Sequence, residues 1–270
     1  MAVYLITGGA GSLGKELVKV IQARDPASTI RVIDINEAEL AMLKHPVRRI
    51  YGNICDRDRI DFAMRGVDVC IHAAALKNLE IAEYNIDALL ETNIQGTLSV
   101  ARAAMKYKVK HAIFISSDKA VLPTTAYGAS KQMGERIWLW AHRIQRYTNF
   151  IIFRSGNFCE SRGNVFEVWK GQAERGELFT VTSPQMKRMF IKTAKAAETI
   201  LNLLNTAGSG DIIVPRMKEY KIWDLLEKMY PGARKTRIPS RPGEKMKEEI
   251  ISPSEKVTWE NPDFQVVRGR

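Results

Sequence analysis

The run Val3-Tyr-Leu-Ile6, leading at once into Thr7-Gly8-Gly9-Ala10-Gly11-Ser12-Leu13-Gly14, constrains the fold of this chain more than any other feature. The first four residues read as a short buried strand. Beyond the glycines, Leu13, Leu17, Val20 and Ile21 share one helix face. Glycines at 8, 11 and 14 permit a tight turn, close approach of a pyrophosphate and close packing of helix on strand. The helix N-terminus adds free N–H groups and a positive dipole end. Alone, the pattern is a weak signal and also fits a plain turn. Its context narrows it, because Arg31-Val-Ile-Asp34 reads as a second strand ending in an acid about 20 residues after Gly14, the spacing of a carboxylate that binds ribose hydroxyls. Gly8, Gly11, Ser12, Leu13, Gly14 and Asp34 are therefore candidate dinucleotide contacts. A carboxylate accepts from a 2′-hydroxyl and repels a 2′-phosphate, which favours NAD. NADP stays possible if Arg31 or Arg48 supplies charge, and Asp34 could instead be a solvated strand-end acid.

Short β-rich runs alternate with helical patterns along the first part of the chain. Strands are expected at 3–7, 29–35, 47–51, 67–73, 111–117 and 149–154, with helices near 13–24, 37–44, 57–65, 86–107 and 127–147. Right-handed crossovers then give an α/β fold, a Rossmann-type doubly wound parallel sheet of order 3-2-1-4-5-6. Residues 1–155 would form the NAD(P)-binding core. After 155, glycine, arginine and proline become frequent, so 156–270 is expected to be mostly a small substrate-binding lobe interleaved with the core. On the helix at 127–147, Trp138 and Trp140 lie about 200° apart, and one face cannot bury both. An exposed aromatic there suggests a homo-oligomer, a dimer or larger, with packing inside the same chain as the alternative.

Composition excludes several classes. At 270 residues and 45% hydrophobic content the chain can bury a substantial core. No run of 18 apolar residues occurs, and the first strand begins at once. No signal peptide and no membrane span are expected. Cys55, Cys70 and Cys159 are odd in number and widely spaced, and there is no C-x-x-C pair or His/Cys cluster. Neither a disulfide framework nor a metal site is implied, and a cytoplasmic location fits. The net charge of +11 would suit a nucleic-acid binder, but the basic residues are scattered among acids. No nucleic-acid partner is expected.

Chemistry concentrates in Ser116-Ser117-Asp118-Lys119-Ala120 and Tyr127-Gly-Ala-Ser-Lys131. A Tyr and a Lys four apart share a helix face, where the cation can lower the phenol's pKa and make Tyr127 a base near neutral pH. Simple dehydrogenation needs little more than that pair and a nicotinamide. An adjacent acid and amine, Asp118 and Lys119, imply further proton transfers and point towards elimination. A surface salt bridge is the plainer reading of the second pair.

These motifs together resemble the extended short-chain dehydrogenase/reductase superfamily, and within it the UDP-N-acetylglucosamine 4,6-dehydratases of the soluble, inverting type. The resemblance spans essentially the whole chain. It runs through the glycine turn, His72-Ala-Ala-Ala-Leu-Lys77, Thr92-Asn93-Ile-Gln-Gly96-Thr97, Ser117-Asp118-Lys119-Ala120 and Tyr127-Gly-Ala-Ser-Lys131. It continues through Arg154-Ser-Gly-Asn157, Ser161-Arg162-Gly163, Met186-Lys-Arg188-Met-Phe190 and Arg241-Pro-Gly-Glu-Lys245. The Asp-Lys-Ala, Ser-Arg-Gly and Arg-Pro-Gly-Glu-Lys segments are its most selective parts.

The resemblance implies a UDP-sugar substrate and transient oxidation at C4, with Tyr127 taking the 4-hydroxyl proton. Lys119 would abstract the C5 proton, Asp118 would protonate the departing 6-hydroxyl, and hydride would return to C6. Lys131 would support Tyr127, and Ser117 would bond the 4-oxygen or serve as a structural hydroxyl. It also implies dinucleotide contacts from Asn53, Ile54, Ala73, Ala74 and Asn93, besides Tyr127 and Lys131. Asn93 could hold its helix open for a water or merely cap a turn. Arg188 and Arg241 would bind the diphosphate, with Asn157, Arg162, Lys77 and Glu244 towards the sugar side. His72 reads as a packing residue. Asn53 stands where the family usually has Asp, Ser155 where it often has Tyr, and Thr125-Ala126 replace a usual Asn-Leu, near the sugar pocket. Met186-Lys187 stands where Met-Thr is typical. Alternatives are a 4-epimerase or a dehydratase of another hexose, and a non-catalytic NAD-sensing regulator.

Overall fold

The computed structural model describes residues 1–269. Six parallel strands carry the first half of the chain: β1 (Val3–Thr7), β2 (Thr29–Asp34), β3 (Arg48–Tyr51), β4 (Val69–His72), β5 (His111–Ser117) and β6 (Asn149–Ser155). They lie in the order β3-β2-β1-β4-β5-β6, the doubly wound order expected. β5 is buried at every position but Ser117, as a parallel strand covered on both faces must be.

Helices cover both faces. On one, α1 (Ser12–Arg24) packs against α9 (Thr193–Thr206), joining Leu17, Ile21, Ile200 and Leu203 to Ile6 and Ile71 in one core. On the other lie α3 (Arg57–Met64), α6 (Thr97–Lys106) and α7 (Ala126–Ile144), over Phe114, Phe150 and Ile152. Trp138 of α7 is fully buried, stacked on His72 with ring centroids 5.5 Å apart, whereas Trp140 is 39% exposed. His72 has Thr7 and Thr97 hydroxyls on its two ring nitrogens, at 2.6 and 3.0 Å.

The structure also departs from expectation. The helix foreseen at 86–107 starts as α5 (Ile86–Leu89), widens into a π-helical turn over Leu90–Gly96, and resumes as α6. α2 (Glu37–Ala41) is shorter than foreseen, and α4 (Leu79–Tyr84), capped by the Asn78 side chain on the Ile81 amide, is additional. α7 ends at Ile144, because the Gln145 side chain takes the amides of Tyr147 and Thr148.

Residues after 155 divide between two places. β7 (Asn157–Phe158), β9 (Lys187–Ile191) and β11 (Lys218–Lys221) form a small sheet, and β8 (Phe179–Val181) pairs with β12 (Lys235–Arg237). With α8 (Val165–Glu174) and α10 (Ile222–Met229) they enclose a separate core of Trp169, Phe190, Ile222 and Leu226. β10 (Ile212–Pro215), β13 (Glu255–Glu260) and β14 (Phe264–Gly269) instead extend the main sheet beyond β6 to nine strands. Arg154, buried at the end of β6, binds Glu135 of α7 and Glu255 of β13, each through paired contacts of 2.7–2.8 Å. Among the described residues, no helix is long and apolar enough to cross a membrane, and no group of three His, Cys, Asp or Glu could hold a metal.

Candidate active site

A cleft of about 650 Å³ opens at the carboxyl ends of the strands, between the sheet and the lobe. Its floor is the turn after β1. Gly8 has φ +66°, and a Cβ there would lie 2.7 Å from the Ala74 Cα. A Cβ on Gly14 would sit 2.4 Å from the Gly9 Cα, so α1 meets the turn backbone to backbone. Gly11 precedes α1 without a side-chain cap, leaving the first amides of a 13-residue helix for a ligand.

At the end of β2, Asp34 accepts from the amides of Ala10 and Asn36, both at 3.0 Å, one on each oxygen. Each oxygen keeps a lone pair for a hydroxyl. Arg31 gives its guanidinium to the carbonyls of Ala63 and Arg65, and Arg48 stacks over Phe62. Neither arginine lines the cleft. Asn53, whose Oδ1 is taken by the Cys55 amide, lines it together with Ser12, Leu13, Ile54, Ala73 and Ala74. A floor that a Cβ would fill, uncapped amides and a carboxylate with spare lone pairs fit a dinucleotide.

Asn93 does not line the cleft. Its buried amide grips the Leu76 N–H and carbonyl at 2.8 and 3.0 Å and donates to Ser130 Oγ at 2.9 Å. Ser130 in turn bonds the Tyr127 carbonyl. The π-turn residue therefore ties the loop after β4 to the start of α7.

Ser117, Lys119, Tyr127 and Lys131 all face the cleft, while Asp118 is fully buried behind them. Asp118 Oδ1 accepts from Ser117 Oγ at 2.9 Å and from Lys119 Nζ at 3.0 Å, and its Oδ2 has no partner. Lys119 also lies 3.8 Å from Glu248, a buried carboxylate absent from the expected site. The Tyr127 phenol is not lowered by Lys131, contrary to expectation. Burial and then the Asp118 carboxylate push its pKa above the ordinary range, against the Ser117 hydroxyl. Lys131 donates to the Ile115 carbonyl at 2.6 Å and sits over the Phe114 ring. Burial brings its amine down to about 8, with Glu135 opposing.

The remaining wall comes from the lobe and the segment after it. Arg188, buried, pairs with Glu244 at 3.1 Å, and the Glu244 carboxylate also takes the Arg241 amide. Asn157 donates to the Met189 carbonyl. Arg162 reaches across the cleft, its amide to Ser12 Oγ and its guanidinium to Glu39 at 2.5 Å. Glu39, also unforeseen, is held down to about 2 by Arg162 and then Lys15. Lys77 donates to the Arg162 carbonyl, its pKa lowered first by burial and then by the Arg162 charge. Arg188, Arg241, Glu244, Asn157, Arg162 and Lys77 thus share one cleft with the glycine turn and Tyr127.

The family model of polysaccharide biosynthesis proteins matches residues 4–268. The chain belongs to that family of extended short-chain dehydrogenases/reductases. Relatives of this chain carry several names. An uncharacterized membrane protein of Methanocaldococcus jannaschii is 38% identical over 92% of the chain and 79% of its own length. The inverting UDP-N-acetylglucosamine 4,6-dehydratase of Campylobacter jejuni is 33% identical over 97% and 81%. A UDP-glucose 4-epimerase of Rickettsia akari is 32% identical over 92% and 77%. The solved structure of Pen from Bacillus thuringiensis superposes with a TM-score of 0.91 at 29% identity, covering 99% of this chain and 89% of that one.

Proposed function

We propose that this chain is a nucleotide-sugar 4,6-dehydratase that takes UDP-N-acetylglucosamine, inverts C5 and uses NAD as a recycled redox partner. The observation that carries this reading is Lys119 in the cleft beside Tyr127, hydrogen-bonded to a carboxylate sealed behind it. An oxidation at C4 alone has no use for that second acid–base pair. The name of the Campylobacter jejuni relative supports the substrate. Asp34, with Arg31 and Arg48 engaged elsewhere, favours NAD over NADP.

Gly8, Gly11, Gly14, Asp34 and Asn53 would hold the dinucleotide, which when bound supplies a hydride acceptor for C4 and afterwards a hydride donor for C6. Tyr127 takes the 4-hydroxyl proton. Its phenolate forms more easily once Asp118 is protonated, because the opposing charge is then gone. The proton moves along the 3.0 Å hydrogen bond between Lys119 and Asp118, giving a neutral amine and a neutral acid. Lys119 then removes the C5 proton, acidified by the 4-ketone, and the Asp118 proton passes to the leaving 6-hydroxyl by way of Ser117, which joins that buried carboxyl to the cleft at 2.9 Å, so that water departs. A proton from solvent returns to C5 on the opposite face, and Tyr127 releases to solvent the one it took. Arg188 and Arg241 bind the diphosphate, with Arg162, Lys77, Asn157 and Glu244 nearer the sugar.

The Rickettsia akari relative's name supports a second reading, a 4-epimerase, which needs no base at C5. Incubation with UDP-N-acetylglucosamine in D₂O, followed by proton NMR, separates the two. A 4-keto-6-deoxy product carrying deuterium at C5, without net reduced cofactor, is expected. A C4 epimer with no label at C5 would sink the dehydratase.

A further inference from the structure

The acid–base loop is clamped by a segment distant in sequence. Residues 241–248 run back from the lobe over the loop 118–125. Thr124 Oγ1 donates to the Gly243 carbonyl at 2.6 Å, and Lys245 Nζ donates to the Val121 carbonyl at 2.8 Å. Gly243 has φ +71°, and a Cβ there would lie 2.3 Å from the Thr124 carbonyl oxygen, so the clamp fits only as glycine.

Glu248 ends this segment with its side chain 4% exposed. Its Oε1 lies 3.8 Å from Lys119 Nζ, its Oε2 3.4 Å from Lys245 Nζ, and Oε2 makes no hydrogen bond. A buried carboxylate so poorly bonded is costly for the fold. Among the described residues, its charge is balanced only by the two amines. Lys119 thus sits between two carboxylates, one from its own turn and one from another part of the chain.

Their duties separate if the dehydratase reading, on which this inference rests, is followed proton by proton. Before C5 is attacked, Lys119 is neutral and Asp118 carries the proton. When the C5–H bond breaks, its electron pair stays on the sugar as the enolate and its proton goes to Lys119. The amine is now a cation while Asp118 is still neutral. Only when the C6–O bond breaks does the Asp118 proton leave in the water, restoring the Asp118 charge. We propose that Glu248 is a positioning residue for Lys119, holding the amine at the cleft and supplying its counter-charge during the interval in which Asp118 is neutral. Among the described residues, the other charged or titratable groups facing this amine and its partners are Asp118, Lys245 and Tyr127.

Glu248→Gln keeps shape and removes charge; Glu248→Asp keeps charge. In Glu248→Gln, C5 deuterium uptake is expected to slow about a hundredfold. C4 oxidation is retained, so reduced nicotinamide builds up transiently and the isotope effect from C5-deuterated substrate rises. Glu248→Asp should recover much of the rate. A second readout needs no sugar. Acetic anhydride at fixed pH, followed by peptide mass spectrometry, should label Lys119 about tenfold faster in Glu248→Gln than in the unaltered protein. Unchanged labelling overturns the proposal even if the substrate proves to be another hexose. So does equal slowing of every step with no rescue by Asp, which marks a merely structural role. Faster labelling in a protein that leaves UDP-N-acetylglucosamine intact sinks the substrate and keeps Glu248.

Discussion

The two halves of the cleft are built by opposite means. The dinucleotide half is local and mostly backbone: a strand, a side-chain-free turn and an uncapped helix, steadied by the neutral chain Thr7–His72–Thr97. The sugar half is assembled from charges brought together over long separations, Arg188 with Glu244, Arg162 with Glu39, Lys119 with Glu248. A backbone cradle fixes shape at little electrostatic cost, whereas a set of paired side chains can be retuned one residue at a time. Binding of the redox partner and choice of chemistry are therefore separable in this molecule.

The sharpest way to break that separation is Lys119→Met. Turnover should fall on the order of a thousandfold, with dinucleotide affinity, read by fluorescence titration, unchanged. A parallel loss of dinucleotide binding would mean that the halves are one unit. Gly14→Ala attacks the other side. With backbone 2.4 Å from the new Cβ, it should cost about 1–3 kcal/mol in urea unfolding and weaken dinucleotide binding. Asp34→Asn should leave the fold intact and shift relative affinity from NAD towards NADP about tenfold, measurable by calorimetry.

Acid sharpens the contrast further. Burial, with Lys131 adding to it, depresses the His72 pKa to about 3. Between about 6.5 and 3 the unfolded chain binds a proton that the folded one refuses, so stability is full above this window and declines as pH falls through it. The slope should approach about 1.4 kcal/mol per pH unit from this group alone. Urea midpoints from pH 7 down to 4 would reveal it, and a flat profile would deny His72 its buried, neutral state. The smallest effect belongs to the outer surface. Trp140→Glu should leave Tm nearly unchanged but convert an α7-paired homo-oligomer to monomer, as light scattering would detect. An unchanged assembly would remove α7 from the interface.

Legibility in the sequence follows the same divide. The turn at Gly8–Gly14, Asp34 and the order of the first six strands depend on neighbours in the chain, and the residue pattern exposes them. Tyr127 and Lys131 are readable as a pair four residues apart. Their electrostatics are not, because a buried amine goes to whichever carbonyl is near, and here that carbonyl belongs to Ile115, on a strand the spacing of the pair does not include. The helix through Asn93 is readable, but the π turn within it depends on Leu76 and Ser130. β10, β13 and β14 are hard to read because they are short runs set between glycine- and proline-bearing turns, and long-range pairing rather than pattern makes them strands. Glu39 and Glu248 look like ordinary surface acids until the fold brings an arginine or a lysine to them.

The clamp over the acid–base loop has a consequence for synthesis. Val121 is translated 124 residues before the Lys245 that grips its carbonyl. A nascent chain therefore carries every residue of its glycine turn before the Glu248 that Lys119 faces has been made. A fragment that stops short of the clamp leaves the Val121 carbonyl without the Lys245 amine and the buried Arg154 without Glu255.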